Sequence, residues 1–157
     1  MAGPPGEIEY QRHAAQEGYT FWSRLKLQFL WFARCESGPS VGFLPFSSHI
    51  WSNIAQAFEI PVQRQNTFRQ FYEVWMAKRI YHKTRKRLWI VTFFAVSWSL
   101  WMKRNSVVFE QQELDAYALC KAIQWRITLW SKAWKDPTTY TSAEIVRHFG
   151  SLHILYP

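Results

Sequence analysis

Leu88 to Phe109 reads LWIVTFFAVSWSLWMKRNSVVF, and the interpretation of this stretch decides the fold. From Leu88 to Met102 only Thr92, Ser97 and Ser99 are polar. An apolar run with no polar face must be buried on most sides. A helix beginning near Arg85 and continuing to about Val108 accommodates it. The fifteen residues from Leu88 to Met102 span about 22 Å at helical rise, short of the roughly 30 Å hydrocarbon core of a bilayer. Basic residues flank both ends, so the charge asymmetry that would orient a membrane span is weak. The run is expected to be the central helix of a folded core, with membrane association through 88–102 as an alternative.

Periodicity places other helices around it. Thr67 to Tyr81 carries Phe68, Phe71, Tyr72, Trp75 and Met76 on one helical stripe. Upstream, Ser47 or Ser48 can cap a helix running to about Phe58, with Ile50, Trp51, Ile54 and Phe58 in phase and Pro61 beyond. Downstream, a helix from Glu113 to Trp134 is read with Leu114, Tyr117, Ala118, Ala122, Trp125, Leu129 and Ala133 on its inner stripe, ended by Pro137. Thr141 and Glu144 have capping-box spacing for a short last helix over Ile145, Val146 and Phe149. Tyr19 to Phe32 fits a strand or an irregular helix, and the glycines and prolines from Glu36 to Pro45 mark a loop.

The expected fold class is mostly α, a small bundle of three to four helices around a central apolar helix, with an irregular N-terminal region. Residues 1–18 read as a flexible lead-in, 19–135 as the helical domain and 136–157 as an extension bearing the short helix. A chain of 157 residues can bury one sizeable core. Ten tryptophans, twelve phenylalanines and seven tyrosines supply the aromatic surface to fill it. Two cysteines oppose a disulfide framework and favour a reducing compartment. The start, Met1-Ala2-Gly3-Pro4-Pro5-Gly6-Glu7, lacks the basic and apolar regions of a secretory leader. An intracellular protein, nuclear or cytoplasmic and not secreted, is expected.

Trp98-Ser99-Leu100-Trp101-Met102-Lys103-Arg104-Asn105, followed by Phe109, resembles the helical tail after the zinc-binding segment of plant LINE-type (non-LTR) retrotransposon reverse transcriptases. Phe32-Ala33-Arg34-Cys35-Glu36-Ser37-Gly38 and Pro45-Phe46-Ser47-Ser48-His49-Ile50-Trp51 look like the two ends of that segment, and the resemblance covers roughly positions 29 to 134. The family motif runs Cys-x-x-Cys, a spacer ending in His-Leu-Phe, then Cys-Pro-Phe and a helix carrying tryptophan. Here Phe32 stands in place of the first cysteine, Gly42-Phe43-Leu44 replaces the His-to-Cys stretch, and Leu44 precedes Pro45-Phe46 where the last cysteine belongs. Cys35 alone remains, as a vestigial ligand. Zinc sites are four-coordinate and draw on Cys, His and carboxylate ligands, so no metal and no other cofactor is expected. Cys35 and Cys120 read as reduced thiols, which behave as small hydrophobes. The resemblance implies a non-catalytic, retrotransposon-derived remnant.

An enzyme is not expected. The two aspartates, Asp115 and Asp136, lie twenty-one residues apart, whereas metal-dependent phosphoryl transfer needs converging carboxylates. No phosphate loop or nucleophile elbow occurs. His13, His49, His82, His148 and His153 show no metal-like pairing, and His148 and His153 read as a solvated tail pair. No catalytic residue is assigned.

The formal charge of +8 favours polyanionic partners. Lys78, Arg79, Lys83, Arg85, Lys86 and Arg87 crowd into ten positions that hold no acid. These six are the candidate nucleic-acid contacts, for RNA or DNA without sequence preference. A nuclear-import sequence and a solvated connector between helices are the competing readings of the same run. If all six neutralise phosphates, log affinity should fall with log salt at a slope of about −5 on duplex DNA and about −4 on single strands. Trp98, Trp101, Trp125 and Trp130 sit at helical spacing, so a core role is expected ahead of base stacking. Arg104 and Asn105 suit a helix C-terminus, where cations and a left-handed exit are favoured. A protein-interaction module with exposed aromatics is a further alternative, and a membrane partner ranks behind nucleic acid and protein.

Overall fold

The computed structural model describes residues 43–63, 65–134 and 138–157, with side chains from residue 45 onward. The lead-in, the Tyr19 to Phe32 element, the Phe32, Cys35 and Gly42 positions, Asp136 and Pro137 lie outside the described residues. Six α-helices follow in order: α1 Phe43–Gln56, α2 Phe68–Ala77, α3 Lys83–Glu110, α4 Ala116–Lys132, α5 Ser142–Arg147 and α6 Leu152–Leu155, with a 3-10 turn at Phe149–Ser151 before the last. No strand occurs among the described residues. The protein is mostly α, a small helical bundle.

Helix α3 is the central member, packed against α1, α2 and α4. Leu88, Trp89, Thr92, Phe93, Ala95, Val96, Ser97, Ser99 and Leu100 are all buried, a broad face of the helix, while Ile90, Val91, Phe94, Trp98 and Trp101 on the other face are half-buried. Its two buried serines cost little, because Ser97 Oγ donates to the Phe93 carbonyl at 2.8 Å and Ser99 Oγ to that of Ala95 at 2.6 Å. A hydroxyl bonded one turn back on its own helix needs no water. Beyond Leu100 no residue of α3 is fully buried.

Trp75 of α2 and Trp89 of α3 tie their helices together. Their rings stack with centroids 3.8 Å apart and planes within 5°. Trp75 Nε1 donates to the Trp89 carbonyl at 3.0 Å, and Trp89 Nε1 donates to the Trp75 carbonyl at 2.8 Å. Both indoles are thus buried with their polar edge satisfied, the condition under which a large aromatic ring can enter a core. Trp51 of α1 meets Phe71, Trp75 and Phe93 at centroid distances of 4.9, 5.1 and 5.3 Å. Phe58 closes on Trp89 at 5.1 Å. Trp98 and Trp101, expected in the core, are instead half-buried against each other at 5.3 Å.

Helix α4 turns the opposite face inward from the one the sequence pattern selects. Leu114, Tyr117, Ala118, Ala122, Trp125, Leu129 and Ala133 are all exposed, while Cys120, Ile123, Ile127, Thr128 and Ser131 are buried. The inner face hides its apolar character behind two hydroxyl residues. Thr128 Oγ1 donates to the Trp125 carbonyl at 2.8 Å and Ser131 Oγ to that of Thr128 at 2.7 Å, so both pack as if apolar. Arg126 reaches from α4 to donate to Ser99 Oγ on α3. Burial holds its guanidinium below the usual value.

Several helix ends differ from expectation. Helix α1 starts at Phe43, so Ser47 and Ser48 lie inside it rather than capping it. Pro45 falls in the first turn, where no intrahelical N–H bond is required. Helix α2 begins after its N-cap Thr67, whose Oγ1 accepts from Gln70 N at 3.2 Å, and stops at Ala77, short of Tyr81. Helix α3 runs past Asn105 to Glu110, and Gln111 makes the left-handed exit at φ 53°, leaving Arg104 and Asn105 more than a turn inside. Helix α4 begins after its N-cap Asp115, whose carboxylate accepts from Ala118 N at 2.9 Å. The expected capping box on α5 is present, with Thr141 and Glu144 bonded reciprocally. These bonds, with Thr141 the first cause, hold the Glu144 carboxyl below its usual range. Tyr156 and Leu152 are buried, and His153 Nε2 lies 3.5 Å from Glu59 Oε1, so the C-terminal tail is fastened to the end of α1.

Candidate nucleic-acid interface

The six candidate cations divide into two groups according to what their side chains touch. Arg85 and Lys86, in the first turn of α3, face the ends of the two preceding helices. Arg85 Nη2 donates to the Phe58 carbonyl at 2.6 Å, just past α1. Lys86 Nζ donates to the carbonyls of Met76 at 3.0 Å and Lys78 at 2.5 Å, at the end of α2. The terminal carbonyls of a helix lack intrahelical donors and carry the negative end of its dipole. A cationic donor placed there satisfies both needs. Lys86 thereby satisfies carbonyls left without helical donors where α2 stops at Ala77. Arg87 lies over the Trp134 ring with its guanidinium carbon 4.4 Å from the centroid. These three charges are engaged in holding the bundle.

The second group is Lys78 and Arg79 on the connector between α2 and α3, with Lys83 at the first residue of α3. Here exposure alternates strictly. Arg79, Tyr81 and Lys83 are exposed, while Lys78, Ile80 and His82 are half-buried. The residues at its two ends are non-helical, with φ −58° and ψ 126° at Lys78 and φ −71° and ψ 119° at His82. The inward residues are anchored. The Lys78 carbonyl receives Lys86, His82 Nδ1 accepts from Arg85 N at 3.4 Å as the N-cap of α3, and the His82 ring lies 5.5 Å from that of Tyr156.

Tyr81, at 97% relative exposure, is the most open large hydrophobic side chain among the described residues. The helical reading of Thr67 to Tyr81 places it at the end of that helix, outside the apolar stripe. No period-two pattern marks it in Lys78-Arg79-Ile80-Tyr81-His82-Lys83, where two polar residues, two apolar and two polar follow one another. No aspartate or glutamate occurs in the sequence between Glu73 and Glu110.

The other candidate chemistry is dispersed. His49 is exposed on α1, and Cys120 is a buried free thiol on α4. Burial, offset in part by Lys121, pushes that thiol up from its ordinary value. No cluster of three or more His, Cys, Asp or Glu able to hold a metal ion exists among the described residues. No helix among them is long and apolar enough to cross a membrane. No protein-family model, curated protein or solved structure matches this chain.

Proposed function

We propose that this chain is a non-catalytic protein that binds nucleic acid without sequence preference, using the outward cations of the α2–α3 connector. The observation that carries the reading is the split in the basic segment. Arg79 and Lys83 are exposed and Lys78 is half-buried, in a stretch of sequence that holds no acid from 74 to 109. Phosphate contacts of this kind supply affinity but no sequence information. The Trp98 to Asn105 and Phe109 pattern supports descent from a reverse-transcriptase zinc-binding tail, with the metal ligands replaced at Phe32, Gly42 and Leu44.

A second reading, a protein-interaction module, draws on the exposed apolar strip of α4, where Tyr117 is 74%, Leu129 58% and Trp125 44% exposed. Membrane association through 88–102 has less support, because α1, α2 and α4 cover the apolar part of α3.

One titration separates these readings. With Lys78, Arg79 and Lys83 engaged, log affinity for unrelated sequences should fall with log salt at a slope of about −2 on single strands and about −3 on duplex. Arg79→Gln with Lys83→Gln should remove about two-thirds of that slope. Leu129→Glu should leave it unchanged. A parent slope near zero, or binding lost in Leu129→Glu and kept in the double glutamine variant, would sink the nucleic-acid reading in favour of protein docking.

A further inference from the structure

We infer that α4 pairs with the α4 of a second copy of this chain, antiparallel across a two-fold axis at its middle, with Trp125 of each protomer on the partner's Ala122 and Leu129 on the partner's Ala118. The inference is independent of the nucleic-acid reading, which concerns the α2–α3 connector, and it gives the protein-docking strip a defined occupant.

The first observation is where the strip lies. At about 100° per residue, Ala118, Ala122, Trp125 and Leu129 fall within roughly 60° of arc on α4. All four are exposed, whereas Cys120, Ile123, Ile127, Thr128 and Ser131, on the opposite side of the helix, are buried. Their steps of four, three and four residues are those of a seam between two helices.

The second is the order of sizes along the strip. A two-fold interface is made of one patch meeting itself, so that whatever residue i faces must face i in return. The midpoint of Ala122 and Trp125 is also the midpoint of Ala118 and Leu129. An antiparallel pair centred there sets each large side chain opposite an alanine, the alternation of large and small that lets facing layers interdigitate. A parallel pair would set Trp125 on Trp125 and leave Ala122 facing Ala122.

The third is charge. Exposed Glu113 and Asp115 stand at the N-terminal end of α4 and exposed Lys132 at its C-terminal end, where the Tyr140 carbonyl holds its Nζ at 2.7 Å. Antiparallel pairing brings the acidic end of one protomer beside the basic end of the other and opposes the two helix dipoles. The cations nearer the centre are occupied within their own chain, Arg126 on Ser99, and Lys121 near Gln124 and the Tyr117 ring.

The strip is small. Tyr117 at 74%, Trp125 at 44% and Leu129 at 58% exposure offer on the order of 300 Å² per protomer, taking the 150–250 Å² that an aromatic side chain can bury. A standard interface uses about 800 Å² per partner. The dimer is therefore weak and dissociates on dilution.

The test is sedimentation equilibrium of the full chain across a concentration series, for the parent, Ala118→Glu and Leu129→Lys. The parent's mass should rise from 18.8 kDa toward twice that value as concentration increases. Each variant sets a charge against an apolar side chain of the partner and should weaken association about tenfold or more. Both positions are exposed, so each variant should keep the parent's circular dichroism and its unfolding midpoint at low concentration. Mixing the two variants should restore association, because residue 118 of one then meets residue 129 of the other with opposite charge. A parent that stays at 18.8 kDa at every concentration, or variants that associate as the parent does, would overturn pairing through α4. Variants that each dissociate but fail to associate when mixed would overturn the antiparallel register. In oligonucleotide titrations at low protein concentration the chains are single, so loss of association and loss of nucleic-acid binding are read separately.

Discussion

Residues 78–83 and 85–89 are adjacent, similarly basic and each supplied with an aromatic ring, yet they face in opposite directions. In the first, Arg79, Tyr81 and Lys83 are exposed. In the second, Arg85 and Lys86 bond to the ends of α1 and α2, Arg87 covers Trp134, and Trp89 is buried in the stacked pair. The difference lies in what each cation meets: Arg85 and Lys86 reach the backbone carbonyls of Phe58, Met76 and Lys78, whereas Arg79 lies exposed between α2 and α3. Charge density along a sequence is therefore a poor guide to the charge available to a ligand. Of the six cations in this segment, Arg85, Lys86 and Arg87 already meet groups of the bundle itself.

The strongest way to break this contrast is at its two rings. Trp89→Ala should cost about 3–5 kcal/mol, as removal of a buried aromatic does, and it also strips a donor from the Trp75 carbonyl. A domain has only about 5–15 kcal/mol in hand, so chemical denaturation should show a large loss of stability or an unfolded protein. Tyr81→Ala should leave the unfolding midpoint in place. Equal midpoints for parent and Trp89→Ala would remove the premise that 85–89 is the inward half.

The next effect is at the cationic caps. Arg85→Gln or Lys86→Gln should each destabilise by about 1–3 kcal/mol, since the Phe58 or Met76 carbonyl then loses a charged donor. Both are only part-buried, so the lower end of that range is expected. For this reason a combined change at Arg85, Lys86 and Arg87 reports on folding rather than on ligand binding. The smallest effect belongs to the outward pair. Arg79→Gln with Lys83→Gln should shift stability by no more than about 0.5 kcal/mol, measured by the same denaturation. A larger loss would show that these side chains also hold the bundle.

The legible part of this molecule was the part where periodicity and burial agree. Ile50, Trp51, Ile54 and Phe58 face inward as their spacing requires, α3 is buried over a broad face from Leu88 to Leu100, and Thr141 and Glu144 cap α5. Helix α4 failed for a physical reason. Both of its faces carry apolar residues, and Thr128 and Ser131, which look polar in sequence, satisfy their hydroxyls on the helix itself. Periodicity identifies faces, but the partner helix chooses between them. The basic segment was visible at once as a cluster. Its division was not, because whether Lys86 meets a phosphate or the Met76 carbonyl depends on where α2 stops. Tyr81 went unnoticed for the same reason, being read as the last turn of a helix that ends four residues earlier, at Ala77.

The reciprocal bonds between Trp75 and Trp89 also bear on hydrogen exchange. Each indole N–H is buried and directed at the other residue's backbone carbonyl, across the joint between α2 and α3. Neither proton can reach solvent until the two helices separate, so their exchange measures the free energy of that opening. The exposed Trp125 indole on α4 has no such barrier. Two slow indole resonances would therefore follow the opening of this joint residue by residue, beneath the loops and frayed ends that exchange first.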